Sequence, residues 1–182
     1  MNYKQKLIAW NSTIKYKKEL EFLYLLFDNP QRGDLFLDFG CGVMTAINYF
    51  NQKSDAMFYG YDVQEYGEQS DYSLYDKELK KKYSTIYLNH SIAHIKNPVT
   101  CLTSLKDNLI SGGKIIVITP NLDWLTFKNE GKEIKTDSTV IRHYSSLTLE
   151  RLFVKNRYDI ICQGQFGDCI NNQHERIFLV AK

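Results

Sequence analysis

The stretch Phe36-Leu37-Asp38-Phe39-Gly40-Cys41-Gly42-Val43-Met44-Thr45-Ala46 decides the fold. An apolar run ends in an acid, two glycines follow, and a sequence with helical character begins. Glycine at such a turn admits backbone dihedrals and close approaches that a Cβ would block. FLDF therefore reads as a buried strand, Gly40 and Gly42 as a tight turn, and MTAINYF as the start of a helix. A ligand is expected over that turn, because open α/β sheets bind at the carboxyl ends of their strands.

Outward from the turn, the same alternation continues. KYKKELEFLYLLFD, 15–28, places Leu20, Leu23, Tyr24 and Phe27 on one helical face. Asn29-Pro30 and Arg32-Gly33-Asp34 supply the turn before the first strand. AMFYGYDV, 56–63, is a second strand that also closes on an acid, Asp62. KELKKKY, 77–83, reads as a short helix, and TIYL, 85–88, as a β-branched and aromatic strand. Asn97-Pro98 opens a helix that runs towards Ile110. SGGKIIVITPN sets a glycine turn ahead of a strand apolar on both faces. Ser145-Ser146 caps a helix over LTLERLFVKN, and YDIICQG and ERIFLVA are the last two strands, separated by a polar loop, FGDCINNQH. No helical run lies between those two, so they pair antiparallel at one edge. The expectation is one doubly wound, Rossmann-like α/β domain, mostly parallel with an antiparallel C-terminal edge strand. Residues 1–30 form a helical cap segment and 31–182 the core.

Composition narrows the class. The chain has 182 residues, 43% hydrophobic and 24% charged, with a net charge of +2. Such a weak balance, with Lys77, Lys80, Lys81 and Lys82 diluted by Asp71, Asp76 and Glu78, disfavours nucleic acid as a partner. The cysteines at 41, 101, 162 and 169 form no CxxC pair, which points to reduced thiols, a cytoplasmic location and no structural zinc. No segment reaches membrane-spanning length. His90 and His94 stand four apart without the glutamate of HExxH or a third ligand, so no metal is expected. Oligomeric state is not legible.

Asp62 lies 20 positions beyond Gly42, where a carboxylate accepts hydrogen bonds from ribose hydroxyls. A GxGxxG dinucleotide fingerprint would need glycine at 45, and Thr45 is there. In order, LDFGCG, YGYDV, TIYLNHSIAHIKNP, LISGGKIIVITPN and RHYSSLTLERLF resemble a class I S-adenosylmethionine-dependent methyltransferase of the small-molecule type. The resemblance runs from about residue 15 to the C-terminus. It implies that Asp38, Gly40, Cys41 and Gly42 line the methionine part of the cofactor. It further implies that Asp62 holds the ribose, that Val63 lies beside the adenine, and that Asn89 with His90 faces the cofactor near its methyl group. The bland reading of Asp38 is a turn cap, and that of Asp62 a strand end; Cys41 reads as a small buried residue, not a nucleophile.

The chemistry itself asks little of the protein beyond alignment, because the sulfonium activates the methyl. A base helps a hydroxyl or ammonium acceptor. His143, beside Arg142 and Tyr144 in the loop after the strand ending at Asn121, is the preferred base. His94, on the family's histidine position, is a second, with capping and packing its plainer reading; His174 reads as surface. Trp124, on a loop after TPN, together with Arg142 and Tyr144 is expected to face a small-molecule acceptor, and Trp10 and Tyr16 to fold over the cleft. Two departures stand out. Met44 occupies a position where the family often has glycine, and only 24 positions separate Asp62 from Ile86. In that shortened stretch Asp71 and Asp76 are the candidate adenine-contacting acids, and Ser84 replaces an acid common in the family. The competing readings are a non-catalytic binding protein of the same fold, a methyltransferase for RNA or protein, and a dehydrogenase.

Overall fold

In the computed structural model of the chain, residues 3–63, 76–129, 134, 139–170 and 173–182 are described. Six strands form one sheet in the order β2-β1-β3-β4-β6-β5, mostly parallel with antiparallel strands at one edge. The chain clusters into two compact units, residues 1–87 and 88–182, with the boundary inside β3.

The first unit opens with α1 (Tyr3–Asn11) and α2 (Ile14–Leu26). Thr13 caps α2 by accepting a bond from the Tyr16 amide. The anticipated face is buried through Leu20, Leu23 and Phe27, with Tyr16 and Glu19 added. Phe27 anchors an aromatic core, with ring centroids 5.0 Å from Phe36, 4.9 Å from Phe50, 5.5 Å from Phe58 and 5.2 Å from Tyr87. These rings tie α2 to β1 (Leu35–Phe39), α3 (Thr45–Asn51), β2 (Met57–Tyr61) and β3 (Tyr83–Asn89). Offset and edge-on packing of this kind adds to the burial of ring area. β1 pairs in parallel with β2 on one side and β3 on the other, so that Asp38 lies between Gly60 and Tyr87.

The helix expected over KELKKKY is absent. Asp76 accepts from the amides of Lys80 (3.2 Å) and Lys81 (3.1 Å) and from the Tyr83 hydroxyl (2.5 Å). Its own amide donates to the Gly60 carbonyl, and Leu79 turns to a positive φ of 49°. A side chain that captures nearby amides competes directly with a helix, and here it wins. Burial alone would raise the Asp76 pKa, but the Tyr83 hydroxyl and the two amides hold the carboxyl below the usual range. A depressed carboxylate contributes stability above its unfolded pKa of about 3.9 and loses it as pH falls through the folded value. Asp76→Ala is therefore expected to destabilise the protein by about 1–3 kcal/mol at pH 7. The deficit should shrink in urea unfolding repeated at increasingly acid pH. A deficit independent of pH would contradict the ionised network.

The second unit begins with a single 3-10 turn, Ser91–His94, and α4 (Pro98–Lys106), where Asn97 caps and Pro98 takes the first helical position. β4 spans Leu109–Pro120, so the anticipated glycine turn at 111–113 lies within the strand, with Gly112 at φ 77°. α5 (Leu122–Lys128) follows, then α6 (Ser146–Lys155), which Ser145 and Thr148 cap reciprocally. β6 (Gln173–Ala181) lies antiparallel to β4, and β5 (Ile160–Ile170) pairs antiparallel with β6. Of the expected polar loop FGDCINNQH, residues 166–170 and 173–174 are strand; the register shift at Phe166/Cys169 accommodates its irregular pattern. Among the described residues, no helix is long and apolar enough to cross a membrane.

Candidate functional site

In the first unit, the turn after β1 is bound to the end of β2. The Gly40 and Cys41 amides both donate to the Tyr61 carbonyl, at 2.7 and 3.1 Å, and Met44 N–H donates to the Cys41 carbonyl at 2.9 Å. The Gly42 amide donates to Asp62 Oδ2 at 2.9 Å. Gly40 (φ 88°) and Gly42 (φ 53°) adopt left-handed backbone that side chains resist. A Cβ on Gly42 would also meet Leu7 Cδ1 of α1 at 3.3 Å. α1 thus rests on the turn, and Asn11 Nδ2 secures it by donating to Thr45 Oγ1 at 3.0 Å. Trp10 and Tyr16 pack at 6.4 Å between centroids. Of these two, Tyr16 is buried, in α2.

Met44 does not disqualify the turn. It takes the left-handed conformation (φ 60°, ψ 19°) at the cap of α3, and its side chain is wholly buried, 0% exposed. An unbranched, polarisable thioether suits an irregular gap. Met44→Gly would relieve roughly 1–2 kcal/mol of left-handed strain but forfeit burial on the scale of about 2–5 kcal/mol. The expected net effect is a lower Tm with S-adenosylhomocysteine affinity unchanged, read by calorimetry. An unaltered Tm with tighter cofactor binding would mean that the thioether obstructs the site.

Asp38 is 3% exposed and its Oδ1 has no hydrogen-bond partner. Burial is the largest influence raising its pKa well above the usual carboxyl value, and the Asp62 charge adds to it. Tyr87 beside it pulls the other way, yet the Tyr87 hydroxyl likewise lacks a hydrogen bond. Asp62 is half-buried, its carboxylate oriented by Gly42. Val63 is 86% exposed. Of the two acids suggested for the shortened stretch, Asp71 lies outside the described residues. Asp76 is held by the Lys80 and Lys81 amides and the Tyr83 hydroxyl in the loop network above.

In the second unit, the end of β3 carries Asn89, whose amide nitrogen and oxygen are both buried without partners. His90 turns left-handed (φ 63°) and donates its amide to the Ile118 carbonyl at 2.8 Å. The 91–94 turn is docked on the segment after residue 139. Ala93 O accepts from the amides of Ile141 and Arg142, at 2.9 and 3.1 Å. His94 Nδ1 lies 3.0 Å from the Thr139 carbonyl, which can only accept, so Nδ1 carries the proton. The histidine is thereby a tether for the loop that bears His143. His143 is half-buried, and burial lowers its pKa.

Trp124 is not on a loop. Asn121 accepts from the Asp123 amide and starts α5, which carries Trp124 inward to 4% exposure. Its Nε1 has no partner, while Lys128 Nζ lies 4.5 Å over the ring. Tyr144 is also 4% exposed with an unpaired hydroxyl; burial raises its pKa against the opposing charge of Arg142, which is itself exposed. Asn121 joins these elements. Its amide donates to Glu175 O at 2.9 Å, its side chain donates to His174 O at 2.9 Å, and it forms a parallel bridge with Tyr144. His174 lies within β6 and its Nδ1 lies 3.0 Å from the Gly167 carbonyl. A buried Arg176–Glu175 pair at 3.1 Å was not anticipated; the charged dipeptide entering the apolar run IFLVA was its only sequence sign. Among the described residues, no group of three or more His, Cys, Asp or Glu could hold a metal ion.

With this geometry in place, comparison with known proteins adds three findings. A family model described as a methyltransferase domain matches residues 11–163. Among curated proteins no sequence match is found. Solved structures share the fold. An S-adenosylmethionine-dependent methyltransferase from Archaeoglobus fulgidus has a TM-score of 0.74 at 12% identity, covering 99% of this chain and 99% of that one. One from Aquifex aeolicus has a TM-score of 0.72 at 14% identity, covering 100% and 98%. Magnesium protoporphyrin IX methyltransferase from Synechocystis PCC 6803, solved with bound S-adenosylhomocysteine, has a TM-score of 0.62 at 17% identity, covering 100% and 87%.

Proposed function

Because the chain belongs to the methyltransferase-domain family of S-adenosylmethionine-dependent class I enzymes, we propose that it transfers a methyl group to an oxygen or nitrogen of a small metabolite. One observation carries the reading: a glycine turn whose Gly42 amide aligns the Asp62 carboxylate, beside a buried Asp38 oxygen that no protein group satisfies. Buried polar atoms are rarely left unpaired, so the orphaned oxygen fits a site built for a ligand donor. S-adenosylmethionine is the cofactor. It supplies the sulfonium-bound methyl; the protein's residues seat it and receive the acceptor.

Asp62 takes the ribose hydroxyls, and Asp38 with the Gly40–Gly42 turn takes the amino-acid end. Asn89, with both amide atoms unsatisfied, is the next candidate to meet a polar ligand group. In the second unit, Trp124 Nε1 and Tyr144 Oη are buried and unpaired, which supports a compact acceptor that offers them hydrogen-bond acceptors. Arg142 flanks them. His143, kept neutral by burial, takes the proton released as the acceptor forms its bond to carbon. The weak +2 net charge argues against RNA as the acceptor, and the absence of a CxxC pair among the cysteines fits a cytoplasmic enzyme.

The test is S-adenosylhomocysteine release when the purified protein and S-adenosylmethionine meet pooled hydroxylated and amine-bearing metabolites. Turnover on such a pool supports the reading. Cofactor binding with turnover only on RNA or protein would overturn the acceptor class, and binding without turnover on any acceptor would favour a non-catalytic relative.

A further inference from the structure

Asp38 stands mid-sheet, with Gly60 and Tyr87 as its register partners. Gly60 has no side chain to offer it, and a Cβ there would lie 2.7 Å from both Cys41 Sγ and Ile47 Cδ1. Two residues beyond Gly60, Asp62 follows the end of β2, its Oδ2 held by the Gly42 amide in the turn that leaves β1 after Asp38. The site therefore sets two carboxyls together and treats them differently. Asp62 is half-buried and holds an amide; Asp38 is sealed from water with an oxygen unpaired. The groups acting on Asp38 are Asp62 from the end of β2 and Tyr87 from β3; Tyr16 from α2 and Cys41 from the turn act in turn on Tyr87. None of these is a cation. A carboxylate buried from water beside a second negative charge is disfavoured without a counter-charge.

Building on the cofactor reading above, we propose that Asp38 holds a proton in the free protein and releases it to solvent as the cofactor's ammonium docks beside it. The O–H bond of the Asp38 carboxyl breaks and the proton leaves to the buffer. The ammonium keeps its own protons and supplies the counter-charge. Burial and the Asp62 charge already favour the protonated carboxyl in the free protein, consistent with this exchange. The direction follows from linkage. A ligand whose binding expels one proton binds more tightly as pH rises, up to about tenfold per pH unit while the free protein remains protonated. The site would thus recognise the amino-acid end of the cofactor by proton exchange, and the adenosyl end through Asp62 without one.

The experiment is calorimetric titration of the whole chain with S-adenosylhomocysteine at pH 7 in phosphate and in Tris, whose ionisation enthalpies differ. Release of close to one proton per ligand bound is the expected result. 5′-Methylthioadenosine, which lacks both ammonium and carboxylate, should bind without that release. Asp38→Asn should bind S-adenosylhomocysteine with buffer-independent heat and a pH-independent Kd; the methylthioadenosine comparison serves if this variant does not fold. Equal heats in the two buffers for the natural chain, or the same proton release with methylthioadenosine, would overturn the proposal while leaving the cofactor assignment intact. No binding of S-adenosylhomocysteine at all would overturn both.

Discussion

His143→Ala is expected to lower kcat on a hydroxyl or ammonium acceptor by about 10²–10⁴-fold, the range of a lost general base. Cofactor affinity should stay as it is, because the residue lies in the segment after α5, away in sequence from the glycine turn. The pH profile gives a sharper readout than the rate. Burial lowers the His143 pKa from its ordinary value, so the neutral, proton-accepting form persists to lower pH than a solvent-exposed histidine would allow. The acid limb of kcat/KM should therefore fall below about 6.5, the unperturbed value. That limb should vanish in the alanine variant. A variant retaining both rate and limb would remove His143 from the chemistry and direct attention to His94, whose Nδ1 is committed to the Thr139 carbonyl.

Asp62→Ala should weaken S-adenosylhomocysteine binding by about 1–3 kcal/mol, on the scale of hydrogen bonds to a charged group. That corresponds to a Kd raised roughly 5- to 150-fold. The variant also strands the Gly42 amide, so a modest fall in Tm should accompany the loss. Asp62→Asn separates the two effects. Its amide oxygen can still accept from Gly42, restoring stability, while the charge-assisted bonds to the ribose are not restored. Full affinity in Asp62→Asn would show that charge at this position is not what the cofactor reads.

Much of the fold was legible because its strands are buried and its helix caps carry their own chemistry. FLDF, AMFYGYDV and TIYL announce themselves as apolar runs that end on turns, and Asn97-Pro98 and Ser145 start helices by mechanisms that depend only on local residues. What escaped reading depends on partners distant in sequence or on local competition. Lysine-rich 77–83 has helical composition, yet Asp76 takes its amides because the Tyr83 hydroxyl holds the carboxyl and the Gly60 carbonyl holds the Asp76 backbone N–H. Trp124 belongs to a helix because Asn121 is bound to β6 and free to cap with its side chain. The polar stretch after Gly164 is strand because β6 supplies its hydrogen bonds, which no period-2 pattern signals.

The site divides the same way. Gly40, Gly42 and Asp62 could be picked out as candidates from the turn and the spacing, which are encoded locally, and Asp38 from the family resemblance. The upward pull on the Asp38 pKa could not, because it arises from burial and from a second carboxyl just past the end of the neighbouring strand. Nor could the docking of His94 and Ala93 on residues 139–142, which ties two segments about 45 residues apart through backbone carbonyls.

A crystal structure of the protein with S-adenosylhomocysteine tests the cofactor site most directly. Both ribose hydroxyls are expected on the Asp62 carboxylate, and the amino-acid end at Asp38 above the Gly40–Gly42 turn. Ligand bound elsewhere, or a turn that stays empty at saturating ligand, would contradict that placement.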